Sequence, residues 1–403
     1  MRQLLYFELK KIINRRANQV AMLLGLLLMI VSSIMTIQNA SYYDGSIELN
    51  GMEAIRKQME MENESTAELS EEFLTELLTD YQPYAVANPD GLAFEIAKPR
   101  WNLFSLIARN YAEWNEPVDW SVLGQISTES GVHFYERRME KIETLLNAEY
   151  SFGNYTDEEK AYWQEKAEMI QTPFPWSSPE IWKQIWTGIT MQIFLMLIVC
   201  FCTASVFTGE YQNRTDALLL TTRYGRRKAV SAKIAAALIF VFFYMILCSL
   251  TGFGIITALL GTEGGNLPVQ LVDSIIPYPW TMAQVCGMNV LVILVIALFL
   301  TAFSLLLSTI CKNSMIVLAV DIAVFFGTAF LPSSKSSSLW NKIAYLFPLH
   351  CFDLHNVVTA YNSYYILGIR ISYPAMIFIV YICLTILCLL AVRWCFHRHQ
   401  IKS

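Results

Sequence analysis

Six stretches of this 403-residue chain run for about the length of a bilayer crossing with almost no charge: Asn18–Ile37, Ile185–Thr208, Ile234–Leu260, Trp280–Ile310, Ser314–Leu331 and Ile371–Val392. A helix needs roughly 20 predominantly apolar residues to cross the hydrocarbon core, and in lipid only a helix or a closed barrel satisfies its own backbone. The sequence therefore predicts an all-α integral membrane protein with six transmembrane helices. Composition agrees, because only 16% of residues are charged, against about 25% in ordinary soluble domains.

Charge is sorted by region. Between Gln38 and Trp186 lie 27 Asp and Glu and 11 Lys and Arg, which leaves 7 acids and 18 bases for the other 254 residues. Lys10, Lys11, Arg15 and Arg16 precede the first apolar run. Arg214, Arg223, Arg226, Arg227, Lys228 and Lys233 follow the second, Lys312 lies between the fourth and fifth, and Arg393, Arg398 and Lys402 follow the sixth. Positive residues collect on the cytoplasmic side. Both termini are thus expected in the cytoplasm and residues 38–184 outside the cell membrane, in a helical domain inserted between the first and second spans. Trp182, Trp186, Tyr278, Trp280, Tyr364, Tyr365 and Tyr373 fall at expected outer ends, as an interfacial aromatic belt would. The alternative for Asn18–Ile37 is a signal peptide, but no small-residue cleavage site stands out before Asn39-Ala40-Ser41. An acidic region of this kind argues against a nucleic-acid partner.

In the inserted region, Ser65-Thr66-Ala67-Glu68 has the form of a capping box opening a helix with Leu69, Phe73, Leu74, Leu77, Leu78 and Tyr81 on one face. Thr156-Asp157-Glu158-Glu159 opens another, running toward Ile170. Val132, Tyr135, Met139, Ile142, Leu145 and Leu146 mark a third. Pro83, Pro89, Pro99 and Pro117 are expected to punctuate loops. All nine cysteines lie at or beyond Cys200, so this region folds without disulfides. His133 is its only histidine, and no His-Glu-x-x-His occurs.

From Met1 to Arg16 the helical spacing places Leu5, Leu9, Ile12 and Ile13 on one face and Lys10, Lys11, Asn14 and Arg15 on the other. That pattern suits either a surface helix on the inner leaflet (residues 1–17) or a basic flank that only sets topology. The loop after the second run, 209–233, is the most informative stretch. It carries Glu210, then the short apolar segment Ala217-Leu218-Leu219-Leu220-Thr221-Thr222, then Gly225-Arg226-Arg227, and ends at Lys233. This arrangement resembles the ABC-2 membrane family, the permease subunits of type-2 ATP-binding-cassette exporters. The six spans, the N-terminal surface helix and a proline-containing segment before the last span (Leu346-Phe347-Pro348, within 332–370) fit the same family. The large 38–184 insertion resembles a subgroup of bacterial permeases with a helical extracellular domain.

The resemblance implies a half-transporter that pairs with a second permease, as homo- or heterodimer, and with cytoplasmic ABC ATPase subunits that bind ATP and Mg. It also implies that Glu210, Leu218, Leu219, Leu220, Gly225, Arg226 and Arg227 couple the chain to the ATPase. No phosphate-binding G-x-x-x-x-G-K-[ST] loop occurs in this chain, so it is not expected to be an enzyme or to carry a cofactor. Without the resemblance, the same residues read as a solvated loop that merely holds topology.

Two further constellations stand out. Asp321 lies six or seven residues into the fifth run, where a charge costs roughly 2.5–3.5 kcal/mol on insertion scales and is expected to face the bundle or a cavity. Its role is either structural or in substrate or proton handling. His350-Cys351-x-Asp353-x-His355 holds metal-ligand residue types, but a loop beside Pro348 offers no fixed ligand face, so no metal is expected. The reading favoured by the whole chain is an exporter permease for a substrate such as a peptide, antibiotic or lipid-like molecule. The other class it fits is a membrane sensor or scaffold whose extracellular domain binds a ligand. Residues 393–403 form the cytoplasmic tail.

Overall fold

The first helix, α1 (Arg2–Asn14), stops at Arg15, whose extended backbone turns the chain directly into α2 (Arg16–Gln38). A polar domain follows: hairpin β1–β2 (Ser41–Tyr43, Glu48–Asn50), then α3 (Gly51–Asn63), α4 (Glu71–Ala87), α5 (Trp101–Tyr111), α6 (Phe134–Asn147) and α7 (Asp157–Glu168). A jointed rod comes next, formed by α8 (Glu180–Thr190), α9 (Ile193–Thr203) and α10 (Ser205–Gln212). Beyond it stand α11 (Val230–Leu260), α12 (Met282–Ile310) and α13 (Ser314–Phe326). Three short helices, α14 (Ser338–Tyr345), α15 (Pro348–Phe352) and α16 (Leu354–Thr359), lead through hairpin β3–β4 (Ser363–Ile366, Ile369–Ser372) into α17 (Tyr373–Arg398). The computed structural model describes residues 2–88, 92–113, 117–148, 155–213, 215, 228–330 and 338–398.

Among the described residues, five helices are long and apolar enough to cross a membrane: α2, the α8–α10 rod, α11, α12 and α17. The expected fifth run does not form a span of that length. It yields the 13-residue α13 and a 3₁₀ turn over Gly327–Phe330. At 1.5 Å per residue α13 is only about 20 Å long, short of the roughly 30 Å hydrocarbon core. The α-helical winding gives way to a 3₁₀ turn at Gly327, whose backbone stays right-handed, a change that counting apolar residues does not register.

Helix α12 is the centre of the bundle, packed against α17, α11, α9 and α13. Large apolar residues point away from the bundle on the peripheral helices, including Val20, Leu23, Leu24 and Leu27 on α2 and Ile382, Ile386, Leu387 and Leu390 on α17. In water such faces would be a liability; against lipid they carry no penalty. Close approach is set by Gly25, where a Cβ would fall 2.0 Å from Tyr244 Oη of α11 and 2.8 Å from Ile198 of α9.

The polar region is helical, and its buried residues, among them Leu74, Leu78, Phe104, Ile107, Phe134, Ile142 and Trp163, belong to a core continuous with that of the bundle. The Thr156 capping box is present, the hydroxyl accepting from Glu159 N while the Glu159 carboxylate accepts from Thr156 N. Near Ser65 the expectation fails. There α4 begins only at Glu71, capped by Ser70, whose hydroxyl accepts from Phe73 N at 3.2 Å. Residues 67–69 instead pair in extended form with 174–176, through Leu69 N to Phe174 O and Trp176 N to Ala67 O. Pro83 also departs from expectation, lying inside α4 rather than in a loop.

The domain is bound to the bundle by several polar contacts. Arg138 Nε donates to Ser274 O at 2.7 Å, Arg109 to Val272 O at 3.3 Å, and Lys342 of α14 pairs with Glu159 at 2.6 Å. Several residues assigned to an aromatic belt serve this joint instead: Trp182, Tyr278 and Tyr373 are buried in protein, and the Trp182 indole donates to Glu263 O at 2.9 Å.

Candidate coupling site

At the end of the bundle opposite the polar domain, α1 crosses the start of α11. Its buried side is Glu8 and Ile12, flanked by partly buried Leu5 and Leu9, while Tyr6, Phe7 and Ile13 are exposed. The face expected to lie on lipid thus packs largely against α11. Asn18 of α2 fixes the corner, its Nδ2 donating to Ile12 O at 2.9 Å.

Four charged side chains converge there. Lys233, on the first turn of α11, is 1% exposed, with Nζ 2.7 Å from Glu8 Oε2 and 2.5 Å from Glu210 Oε1. Lys11 closes the group at 2.9 Å from Glu8 and 3.6 Å from Glu210. The Phe207 ring of α10 lies 5.9 Å from the Lys233 ammonium, close enough for a cation–π contact. Burial by itself would raise the Glu8 carboxyl, but Lys233 and then Lys11 outweigh it and hold Glu8 below its ordinary value. For Lys11 burial acts downward, and Glu8 and Glu210 overcome it and raise the ammonium. A buried lysine without a partner would be expelled or neutralised; two carboxylates make this one tenable.

The knot joins α1, α10 and α11. Glu210 and Lys233, the two ends of the loop singled out in the sequence, are brought into direct contact. Glu210 takes Lys233 and Lys11 as partners. Leu218, Leu219, Leu220, Gly225, Arg226 and Arg227 lie outside the described residues. Sequence reasoning missed Glu8. Its signal was present, since an acid at position 8 interrupts the apolar stripe Leu5, Leu9, Ile12 at helical spacing. The foot of the rod is held further by Tyr211, whose hydroxyl donates to Thr309 O at 3.3 Å.

Asp321 is fully buried and faces the bundle as expected. Ser304 of α12 is its polar neighbour, although the carboxylate oxygens and the Ser304 hydroxyl stand outside hydrogen-bond geometry. In the 350–355 segment each group has a local task. His350 stacks on Tyr345 with centroids 5.3 Å apart, Cys351 donates to Tyr345 O, and Asp353 caps α16 by accepting from His355 N and Asn356 N.

The family profile described as ABC-2 family transporter protein matches residues 8–401, nearly the whole chain. The chain belongs to the ABC-2 transporter family. It is accordingly a membrane transport protein, and the five span-length helices agree with that assignment. No curated protein and no solved structure was found to match. The ABC-2 match begins at Glu8, so it takes in all four residues of the charged knot.

Proposed function

We propose that the chain is the permease subunit of an ATP-driven exporter, and that the 209–233 loop receives the motion of a separate ABC ATPase. The observation that carries this reading is the Glu8–Lys233–Glu210 knot at the two ends of that loop. A displacement of the loop acts directly on α10 and α11, the feet of two spans, and through Glu8 on α1. A rigid helix pinned at its foot transmits such a push to its far end.

In this reading the knot lies at the cytoplasmic surface, both termini are inside, and residues 38–184 are extracellular. The basic flanks and the pinning of α1 support it. Helix α13, continued by its 3₁₀ turn, makes a short sixth crossing between α12 and α17. Two permeases and two ATPases form the working assembly, with ATP and Mg on the ATPases.

The test is co-purification of an ABC ATPase with the chain from its native membrane, with hydrolysis measured on each variant. Leu219→Asp is expected to weaken association or uncouple hydrolysis while leaving membrane insertion intact. The loss expected is that of an interface hot spot, about 2–4 kcal/mol. Arg223→Ala, at the rim, does less. Normal association and coupling after replacing Leu218, Leu219 and Leu220 together by Ser would refute the coupling role. Orientation is checked separately in a cysteine-free background. Ser130→Cys should react with an impermeant maleimide in intact cells, and Asn213→Cys should not. The opposite pattern inverts the topology.

A further inference from the structure

The polar domain, the loop that follows α11 and the short helices before α17 enclose a pocket of about 290 Å³. Its walls include Asp273, Tyr155, Tyr345, Tyr361, Asn341 and Asn356. We propose that this pocket binds a primary ammonium group, such as the amino terminus of a short peptide, with Asp273 as its counter-ion. This assignment does not depend on the coupling reading.

Charge accounting is the first support. Among the described residues, the two other lining groups that can carry charge near neutral pH are Lys342 and His355. The Lys342 ammonium is already committed to Glu159 at 2.6 Å, and His355 is exposed on α16. Among the described residues no cation lies within salt-bridge distance of Asp273. Lys141 acts on it only at longer range, because its own ammonium is bound to the Arg109 and Ala112 carbonyls. A half-buried carboxylate in a concave site, with no cation in direct contact among the described residues, favours a ligand cation over an anion.

Rigidity is the second support. The loop carrying Asp273 is held on both sides. Val272 O, Ser274 O and Ile275 O accept from Arg109, Arg138 and Tyr361, and the Ser274 hydroxyl donates to Asn110 Oδ1 at 2.7 Å. Asp273 Oδ1 accepts from Ile275 N at 3.3 Å, which orients the carboxylate and leaves Oδ2 for a ligand. Site rigidity of this kind lowers the entropic cost of binding.

The remaining walls suit the same ligand. An ammonium brings three donors and no acceptor. The Asn356 amide nitrogen is committed to Asp353 at 2.8 Å, which leaves its carbonyl oxygen as an acceptor. Tyrosine rings complement a cation electrostatically. The volume is near the lower end of small-ligand sites, matching a chain end rather than a large molecule.

The experiment is calorimetric titration of the full-length protein in lipid nanodiscs with trialanine, N-acetyl-trialanine and glycerophosphoethanolamine. Trialanine is expected to bind saturably and its acetylated form not to bind. Asp273→Asn keeps the acceptor for Ile275 N and should weaken binding about tenfold or more, the usual worth of a hydrogen bond to a charged group. Asp273→Glu should retain binding, and melting curves of both variants verify folding. Binding of trialanine alone assigns the site to a peptide amine, and binding of glycerophosphoethanolamine alone to a lipid headgroup. Equal binding of the acetylated peptide, an unaffected Asp273→Asn variant, or no saturable binding of either amine overturns the proposal.

Discussion

Glu8 and Lys233 stand 225 positions apart in the sequence and 2.7 Å apart in the fold. This one contact fastens the N-terminal helix to the first turn of α11. Because Lys233 also holds Glu210, the ammonium is shared by two carboxylates from two different elements. Removing any one of the three changes the charge balance seen by the other two. The site therefore behaves as a unit rather than as two independent pairs.

Lys233→Met is expected to be strongly destabilising. It leaves Glu8 and Glu210 facing each other with only the largely exposed Lys11 between them, and breaking a buried pair from one side costs about 3–5 kcal/mol. The combined variant Glu8→Gln, Glu210→Gln, Lys233→Met removes all three charges and should recover part of that loss. Thermal melting in detergent of the single and triple variants checks the order. A triple variant less stable than Lys233→Met would contradict it.

Acidification should loosen the same contact. Glu8 has its carboxyl held below the ordinary value of 4.5, so the folded state binds its proton less readily than the unfolded chain. Its stabilising contribution is complete above the unfolded value and is lost as pH falls through the lowered folded value. Lys11, held above 10.5, acts in the opposite sense: its contribution is complete below its unfolded value and is lost as pH rises through the raised one. Between these limits docking of α1 should not vary with pH. Fluorescence of a probe attached at Tyr6, exposed on α1, should report undocking only at the acid and alkaline ends.

The approach of α2 to α9 and α11 depends on the missing side chain at Gly25. A Cβ there would meet Tyr244 Oη at 2.0 Å, so Gly25→Ala is expected to destabilise by about 1–3 kcal/mol through overpacking. Tyr244→Phe deletes the contacted oxygen, together with its hydrogen bond to Met22 O. In the Gly25→Ala background it should restore stability, while alone it should slightly reduce it. Additive melting temperatures across the four proteins would show that the hydroxyl does not set the helix spacing.

Much of this architecture is written in local patterns. Long apolar runs disclose α2, α11, α12 and α17 because lipid demands continuous apolar sequence, and Thr156 with Glu159 discloses the start of α7 because a capping box is complete within four residues. Glu210 and Lys233 were marked by their positions at the ends of one loop. Their mutual contact and the part of Glu8 were not, since both depend on tertiary packing. The Ser65 box shows the converse: its local signal is sound, yet pairing of residues 67–69 with 174–176 overrides it and passes the cap to Ser70. Helix α13 is shorter than its apolar run because Gly327–Phe330 wind as a 3₁₀ turn, a difference that a count of apolar residues does not register.

The joint between the polar domain and the α8–α10 rod has its own buried acid. Glu62 of α3 is fully buried, accepting from Asn102 N at 2.9 Å, Asn102 Nδ2 at 3.1 Å, Ser178 Oγ at 2.5 Å and Gln58 Nε2 at 3.2 Å. The same Asn102 nitrogen donates to Glu180 at 2.8 Å, so two carboxyl groups share one amide. Lys183 donates to Asn102 Oδ1 and, like Lys98, acts on both carboxylates electrostatically. Desolvation raises the Glu62 carboxyl, its hydrogen bonds partly oppose that, and Glu180 adds to the rise. For an acid whose folded value is raised, the folded state holds the proton more tightly than the unfolded chain. Stability is then greatest below the ordinary value of 4.5 and declines as pH rises toward the folded value, above which the cost stays constant. Glu62→Gln carries no titrating group and can keep an acceptor for Asn102, so it should flatten this part of the stability profile. Glu62→Leu leaves Asn102 and Ser178 without their acceptor and should lower the melting temperature at every pH. A Glu62→Gln profile as steep as wild type would assign the pH dependence to another group at the joint, with Glu180 the first to replace.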